Sequence, residues 1–235
     1  GDDGGEGNVE EGGRIQWEFE GGAQLRLDRF LIVVSDIELH ACVDGEKTPA
    51  SGAWLDFMIP SAHAHVPSSA TRLGTPFVED LLGKPGKANI LGEIAPPPMA
   101  YCDLYTVIAP ADDDVINLTD VPTEALEGKS AMLAGAWRAP TGNGDDEDGL
   151  SDWTTFEHTF DFKHLQKIPL IDPKTGTSPL KLEDRGSAFI LLDSKLSRAL
   201  IEDPSALSEP DKARALVARV LQQSSIYRPP ARNEK

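Results

Sequence analysis

The stretch AQLRLDRFLIVVSDIELHACV, residues 23–43, constrains the fold more than any other part of the chain. Leu25, Leu27, Leu31, Val33, Ile37 and Leu39 all fall on odd positions, the period-two pattern of a strand with one face buried. Its β-branched content and the Asp44-Gly45 turn signal read as one long strand, or as two joined at a bend near Ser35-Asp36. Further strand candidates are Ala53–Val66, broken by Pro60, then Ala88–Ile94, Tyr101–Ala109, Ser130–Ala136, Trp153–Phe162 and Ala188–Leu192. Pro, Gly and Asp clusters bound them, with no helical segment between most of them. The pattern predicts a mainly β fold, an antiparallel β-sandwich that is immunoglobulin-like in outline.

Helix is expected only near the end. Ser208-Glu209-Pro210-Asp211 reads as a capped start, and Ala215, Leu216, Val220 and Leu221 form an apolar stripe through DKARALVARVLQQ. Leu196–Ile201 adds a short helical turn, and RPPARNEK is expected to fray. At the other end, the first thirteen residues contain one hydrophobic side chain, Val9, among glycines and acids. Such a segment cannot bury enough surface to offset its ordering entropy. The expected organisation is an acidic, Gly-rich tether over 1–22, a β-sandwich domain over 23–203, and a C-terminal helix and tail over 204–235 packed on it.

Charge narrows the function. The 235 residues carry a formal net charge of −17, which repels phosphate backbones and anionic lipid surfaces, so nucleic-acid binding is not expected. No apolar run approaches the roughly 20 residues of a membrane helix. The chain begins with Gly and shows no basic-then-apolar leader, and an acidic tether of this kind is common in mature bacterial lipoproteins just after the acylated cysteine. A lipid anchor upstream of residue 1 is one reading of it, and a frayed terminus is the other.

Cys42 and Cys102 are the two cysteines, each at the edge of a strand-like run. If those strands are neighbours, a disulfide closes a long loop and contributes about 3–4 kcal/mol in the chain-entropy model. Two separate thiols are the alternative, and thiolate metal ligation lacks any CxxC spacing.

Of the five histidines, His63 and His65 in AHAHV are separated by one residue. In an extended segment both imidazoles point to one side, at a spacing that can share copper or zinc. His40, on the even face of its strand with Cys42, and His158, in FEHTFDF, are the further candidate ligands; hydrogen-bonding histidines without a metal are the plain reading.

Other motifs fail on inspection. Aligning an EF-hand glycine on Gly149 puts Gly144 first and Thr155 twelfth, where acids are required, so Asp112-Asp113-Asp114 and Asp145–Asp148 read as solvated acidic loops or a looser calcium site. Gly128–Ser130 (GKS) lacks the phosphate-loop glycine at 123, where Thr123 stands. No G-x-S-x-G elbow or HExxH helix occurs, and no catalytic residue is assigned.

The run RFLIVVSDIELHAC, with SAHAHVPSSATRLGTPFVEDLL and the Pro-rich lead-in of LGEIAPPPMAYCDLYTVIAPADDD, resembles an extracytoplasmic β-sandwich family. That family includes the methanobactin-associated copper proteins (MbnP) and many uncharacterised lipoproteins of myxobacteria-like Gram-negative bacteria. The resemblance covers most of Gln24–Leu200 and implies a secreted or periplasmic domain, at the periplasm or outer-membrane surface, in some members binding copper. The family's pairing of histidines with an oxidised tryptophan does not align onto Trp153 and His158, so the resemblance supplies no ligand. Two functions follow as expectations: an extracytoplasmic binding protein holding copper or zinc at a histidine cluster, or a non-enzymatic surface or interaction module without a cofactor.

Overall fold

The computed structural model describes residues 8–10, 14–42, 68–82, 91–112, 115–117, 126–140, 152–172, 175–183, 192–193, 196, 198–223 and 225–226. The long alternating stretch forms a single strand of 18 residues, β3 (Gln24–Ala41), around which the other strands are arranged. Along one side it pairs in turn with β2 (Arg14–Glu18), β5 (Phe77–Asp80) and β4 (Arg72–Leu73). Along the other it pairs with β8 (Ala131–Arg138) up to Ile32 and with β6 (Ala100–Ile108) from Val34. At the changeover the Val33 amide donates to the Ser130 carbonyl, and the Val33 carbonyl accepts from Ala109.

Beyond that row, β9 (Thr154–Phe160) pairs with β8, and β10 (His164–Pro169) with β6. β11 (Leu180–Lys181) extends the β6 pairing, β1 (Asn8–Glu10) pairs with β2, and β7 (Ile116–Asn117) pairs with β5. The result is mainly β, with eleven of the described strands in one sheet, antiparallel at each pair except β5 with β7. β12 (Leu192–Asp193) and β13 (Ser225–Ile226) form a separate two-stranded ladder.

Two bulges divide the faces of β3, one between Leu27 and Arg29 and one between Val34 and Asp36. Each inserts a residue and exchanges the faces of everything beyond it. Leu25 and Leu27 therefore share the main core with Phe30, Ile32 and Val34, whereas Leu31 and Val33 face a second core with Val78, Ala111, Leu126 and Met132. After the second bulge Leu39 enters a third core with Tyr101, Leu104, Ile168, Leu170 and Leu180. The odd-position stripe is thus split between cores, and the bend expected near Ser35-Asp36 is the second bulge.

The helix α1 (Pro210–Gln223) starts with Pro210 in its first turn. Its buried residues are Ala213, Leu216, Val217, Val220 and Leu221, all in the main core. Ala215, expected on that stripe, is exposed, because the buried face is centred on Leu216 and Val217. A 3-10 turn at Arg198–Leu200 lies within the expected 196–201, and another at Ser205–Ser208 leads into α1. Two side chains on the sheet tie this second turn down: Trp137 Nε1 donates to Ser208 Oγ at 2.8 Å, and His158 Nε2 lies 2.9 Å from the Leu207 carbonyl.

Three sequence expectations need correction. Residues 14–18, assigned to the tether, form β2, with Ile15 opposite Leu27 and Trp17 opposite Leu25; Trp17 is buried, and β1 lies upstream of it. Within Ala88–Ile94, the described residues Leu91–Ile94 form no strand. Leu91 and Ile94 reach the main and third cores as side chains, without ladder pairing. β10 was not anticipated at all. Ala53–Val66, the tail after Ile226, and all of Ala188–Leu192 except Leu192 lie outside the described residues.

Gly135, opposite Leu27 at the first bulge, has no room for a side chain: a Cβ would meet the Arg26 carbonyl oxygen and come within 3.1 Å of Phe156 Cζ. Gly135→Ala should lower stability by about 1–3 kcal/mol in urea unfolding, the range for overpacking a close-packed site. Cys42 and Cys102 form a disulfide across 60 residues, joining the end of β3 to the start of β6. The double Cys→Ala variant should lose about 2–5 kcal/mol in the same assay.

Candidate functional site

The polar side chains of the structure gather on the outward face of β3 beyond its second bulge. After the bulge the odd residues Ile37 and Leu39 face the cores, so Asp36, Glu38 and His40 share the other face. Pairing places Glu38 beside Arg72 of β4 on one side and beside Tyr105 of β6 on the other, and Tyr105 in turn beside Lys167 of β10. His40 lies opposite Asp103.

Each charge in this row meets an opposite one. Arg72 grips Asp36 with two contacts, Nε to Oδ1 at 2.9 Å and a second guanidinium nitrogen to Oδ2 at 2.6 Å. Asp36 is 6% exposed, and burial pushes its carboxyl up, with Arg72 pulling the other way. A bidentate guanidinium is the partner that best repays the desolvation of such a carboxylate. Next along the strand, His40 Nε2 lies 3.5 Å from Glu38 Oε2, and hydrogen bonding from His40 holds the Glu38 carboxyl below its ordinary range. The His40 ring packs on Tyr105 with centroids 4.2 Å apart. Lys167 Nζ reaches Asp103 Oδ2 at 2.9 Å, and that hydrogen bond is the main cause raising its ammonium above the usual lysine range.

The disulfide lies beside this row. The Cys42 amide donates to the Ala100 carbonyl and the Leu170 amide to the Cys102 carbonyl, so the bridge sits in continuous hydrogen-bonded sheet. It fixes the β3 and β6 ends from which His40 and Asp103 project.

A second polar group occupies the far end of β3. Arg26 forks onto Asp28 at 2.9 and 3.2 Å, and Asp28 also takes Arg14 at 3.2 Å. Arg138 directs two nitrogens at the Gln24 side-chain oxygen, at 3.1 and 2.9 Å. The guanidinium carbons of Arg26 and Arg138 lie 5.2 and 4.7 Å from the centre of the Trp153 ring, both in cation–π range.

The candidate ligands fare differently. His63 and His65 lie outside the described residues, as do the acids at 113–114 and 145–148. His40 and His158 are not brought together. His158 pairs with Leu133, which pairs with Phe30, ten residues before His40 on β3. At about 3.3 Å per residue the two imidazoles stand some 30 Å apart along the sheet, beyond any shared ion. His158 faces the main core between Phe156 and Phe160, where its Nε2 contacts the Leu207 carbonyl. His164 opposite Ile108 is half-buried, and burial lowers its affinity for a proton. Among the described residues no three His, Cys, Asp or Glu side chains form a group that could hold a metal ion.

Asp36, Arg72, Asp103, Tyr105 and Lys167 were not singled out from the sequence. The available signal was the spacing D-x-E-x-H in SDIELHA, three polar residues on one face of a strand. Comparisons with protein-family models, curated proteins and solved structures found no significant match for the chain.

Arg72→Leu removes the partner of a buried carboxylate and should cost about 3–5 kcal/mol at neutral pH. The loss should shrink on acidification, since a protonated Asp36 no longer requires the guanidinium. Urea unfolding across the acid range checks both parts, and a deficit that stays constant with pH would count against the assignment.

Proposed function

We propose that this chain is an extracytoplasmic binding module without catalytic chemistry of its own, presenting the paired-charge face of β3, β6 and β10 to a partner. The observation that carries this reading is the Cys42–Cys102 disulfide, which points to an oxidising setting and stiffens the sheet end where that face lies. No helix among the described residues is long and apolar enough to cross a membrane. The resemblance of RFLIVVSDIELHAC to extracytoplasmic lipoprotein sandwiches agrees with a location at the periplasm or outer-membrane surface, held by a lipid anchor. The row itself favours recognition over reaction. Arg72 and Lys167 are each committed to an acid, and the hydroxyl of the row belongs to Tyr105, whose ring packs against His40 and under Lys167.

A metal-holding form of the same module is centred on His63 and His65, with His40, whose ring shares the row with Glu38, as a further ligand. It would bind copper or zinc, and His158 would take no part.

Two measurements test these readings. Protein taken directly from its compartment under alkylating conditions should show no labelled thiol until a reductant is added, and labelling without reductant would overturn the extracytoplasmic assignment. Metal analysis of untagged protein after copper and zinc loading should find none retained. Stoichiometric metal that disappears in a His63→Ala/His65→Ala variant would instead establish the metal-holding form.

A further inference from the structure

Pairing register carries one carboxylate onto the face of the main core. Across the sheet, Glu79 of β5 lies opposite Ile32, Ile32 opposite Ala131, and Ala131 opposite Phe160. Directly opposed residues share a face, and Ile32, Ala131 and Phe160 are all buried members of the main core. Phe77, two residues earlier on β5, is buried in the same core. Glu79 therefore ends an otherwise apolar row.

On the described sheet its surroundings offer no compensation, and the cations of α1, which covers the same core, are exposed: Lys212, Arg214 over the Phe162 ring, and Arg219 paired with Glu202. β3 presents Phe30, Ile32 and Val34 on that face, β8 presents Ala131 and Leu133, and β9 presents Phe160, none of them titratable. His158 of β9 shares the face one row away and is engaged with the Leu207 carbonyl. The nearest charge on its own strand is another acid, Asp80, which faces the second core opposite Leu31 and accepts a hydrogen bond from the Leu82 amide. β7, on the outer side of β5, pairs with Phe77 and Val78 through Ile116 and Asn117 and contributes no charge. Among the described residues the Glu79 carboxyl makes no hydrogen bond or ion pair. Lys84 and Lys87, the next cations along the chain, lie outside them.

We propose that Glu79 makes β5 a pH-sensitive latch, closed on the main core while the carboxyl carries a proton and opening from β3 together with β7 once it is ionised. Burial, with the adjacent Asp80 adding to it, pushes Glu79 up to about 7, and burial also raises Asp80. The ordinary value of 4.5 holds in the open strand. Between the two values the open state gives up its proton while the closed state keeps it, so closure weakens as pH rises through this window and is weakest above it. β5 is four residues long, and among the described strands β7 pairs with it alone, so the two open as a unit. β8 and β9 make no backbone pairing with either of them.

The test is native-state hydrogen exchange on the whole chain at about pH 5.5 and about pH 8.5, corrected for the intrinsic rate. Protection of the β5 amides should fall about tenfold or more between the two, the equivalent of one pKa unit or above. β8 and β9 should hold theirs, and Glu79→Gln should show little change in β5. Unchanged β5 protection in the wild type, an equal fall in β8 and β9, or the same fall in Glu79→Gln would each overturn the latch. The carboxyl carbon shift of Glu79 in the wild-type protein gives a reading independent of the variant. A midpoint near 7 supports the latch, and a midpoint at the ordinary 4.5 overturns it.

Discussion

Backbone pairing on both sides of one long strand is the constraint on which the molecule depends. A strand hydrogen-bonded to neighbours on both sides and covered on both faces has no polar backbone left for water, so its centre must be apolar in every direction. The run Phe30–Val34 meets that demand, each residue being buried. Towards the ends only one face is covered, and there the chain returns to alternation, with Arg26 and Asp28 outward at one end and Glu38 and His40 at the other. The bulges reconcile these regimes. Two insertions of one residue cancel, so Leu25 and Leu39 point inward although the strand between them has exchanged faces.

The same geometry sorts the charges. Polar side chains at the two ends of β3 find partners across the sheet, because neighbouring strands bring opposite charges side by side on the outward face. Asp36 is the most deeply placed of them, and its environment shows what an interior carboxylate requires: a guanidinium in two-point contact. Glu79 is partly buried and has no guanidinium beside it. The contrast between these two acids, on adjacent strands of one sheet, separates a charge that supports the fold from one that works against it.

Much of the architecture was legible in the sequence where periodicity and turn residues agreed. β3, β6, β8 and β9 lie within a residue or two of the stretches read from the sequence, since each lines a core and is bounded by turn residues. β2 was hidden by its surroundings: RIQWEFE alternates, but a window reaching back into glycines and acids averages the signal away. β10 was hidden for the opposite reason. His164, Gln166 and Lys167 make it polar, and it holds its place through pairing to β6 and a few buried residues such as Ile168. The first bulge left no compositional trace and the second only the bend read near Ser35-Asp36, so the odd-position stripe looked continuous. Of the candidate site, the cysteine pairing was legible because both thiols sat at strand edges. The Asp36–Arg72 and Asp103–Lys167 pairs were not, because each joins residues more than thirty-five apart or across a crossover that only topology reveals.

The place of α1 in the chain has a consequence for biogenesis. The helix supplies five buried side chains to the main core, yet it follows every strand of the large sheet in sequence. While the polypeptide emerges from a ribosome, Phe30, Ile32 and Leu133 wait with their roof missing. The apolar floor is covered only when residue 221 has arrived, well after the cysteines have met their chance to oxidise. A chain built in this order relies on whatever shields hydrophobic surface during synthesis, and its period of greatest vulnerability to aggregation is the interval between completing the sheet and docking the helix.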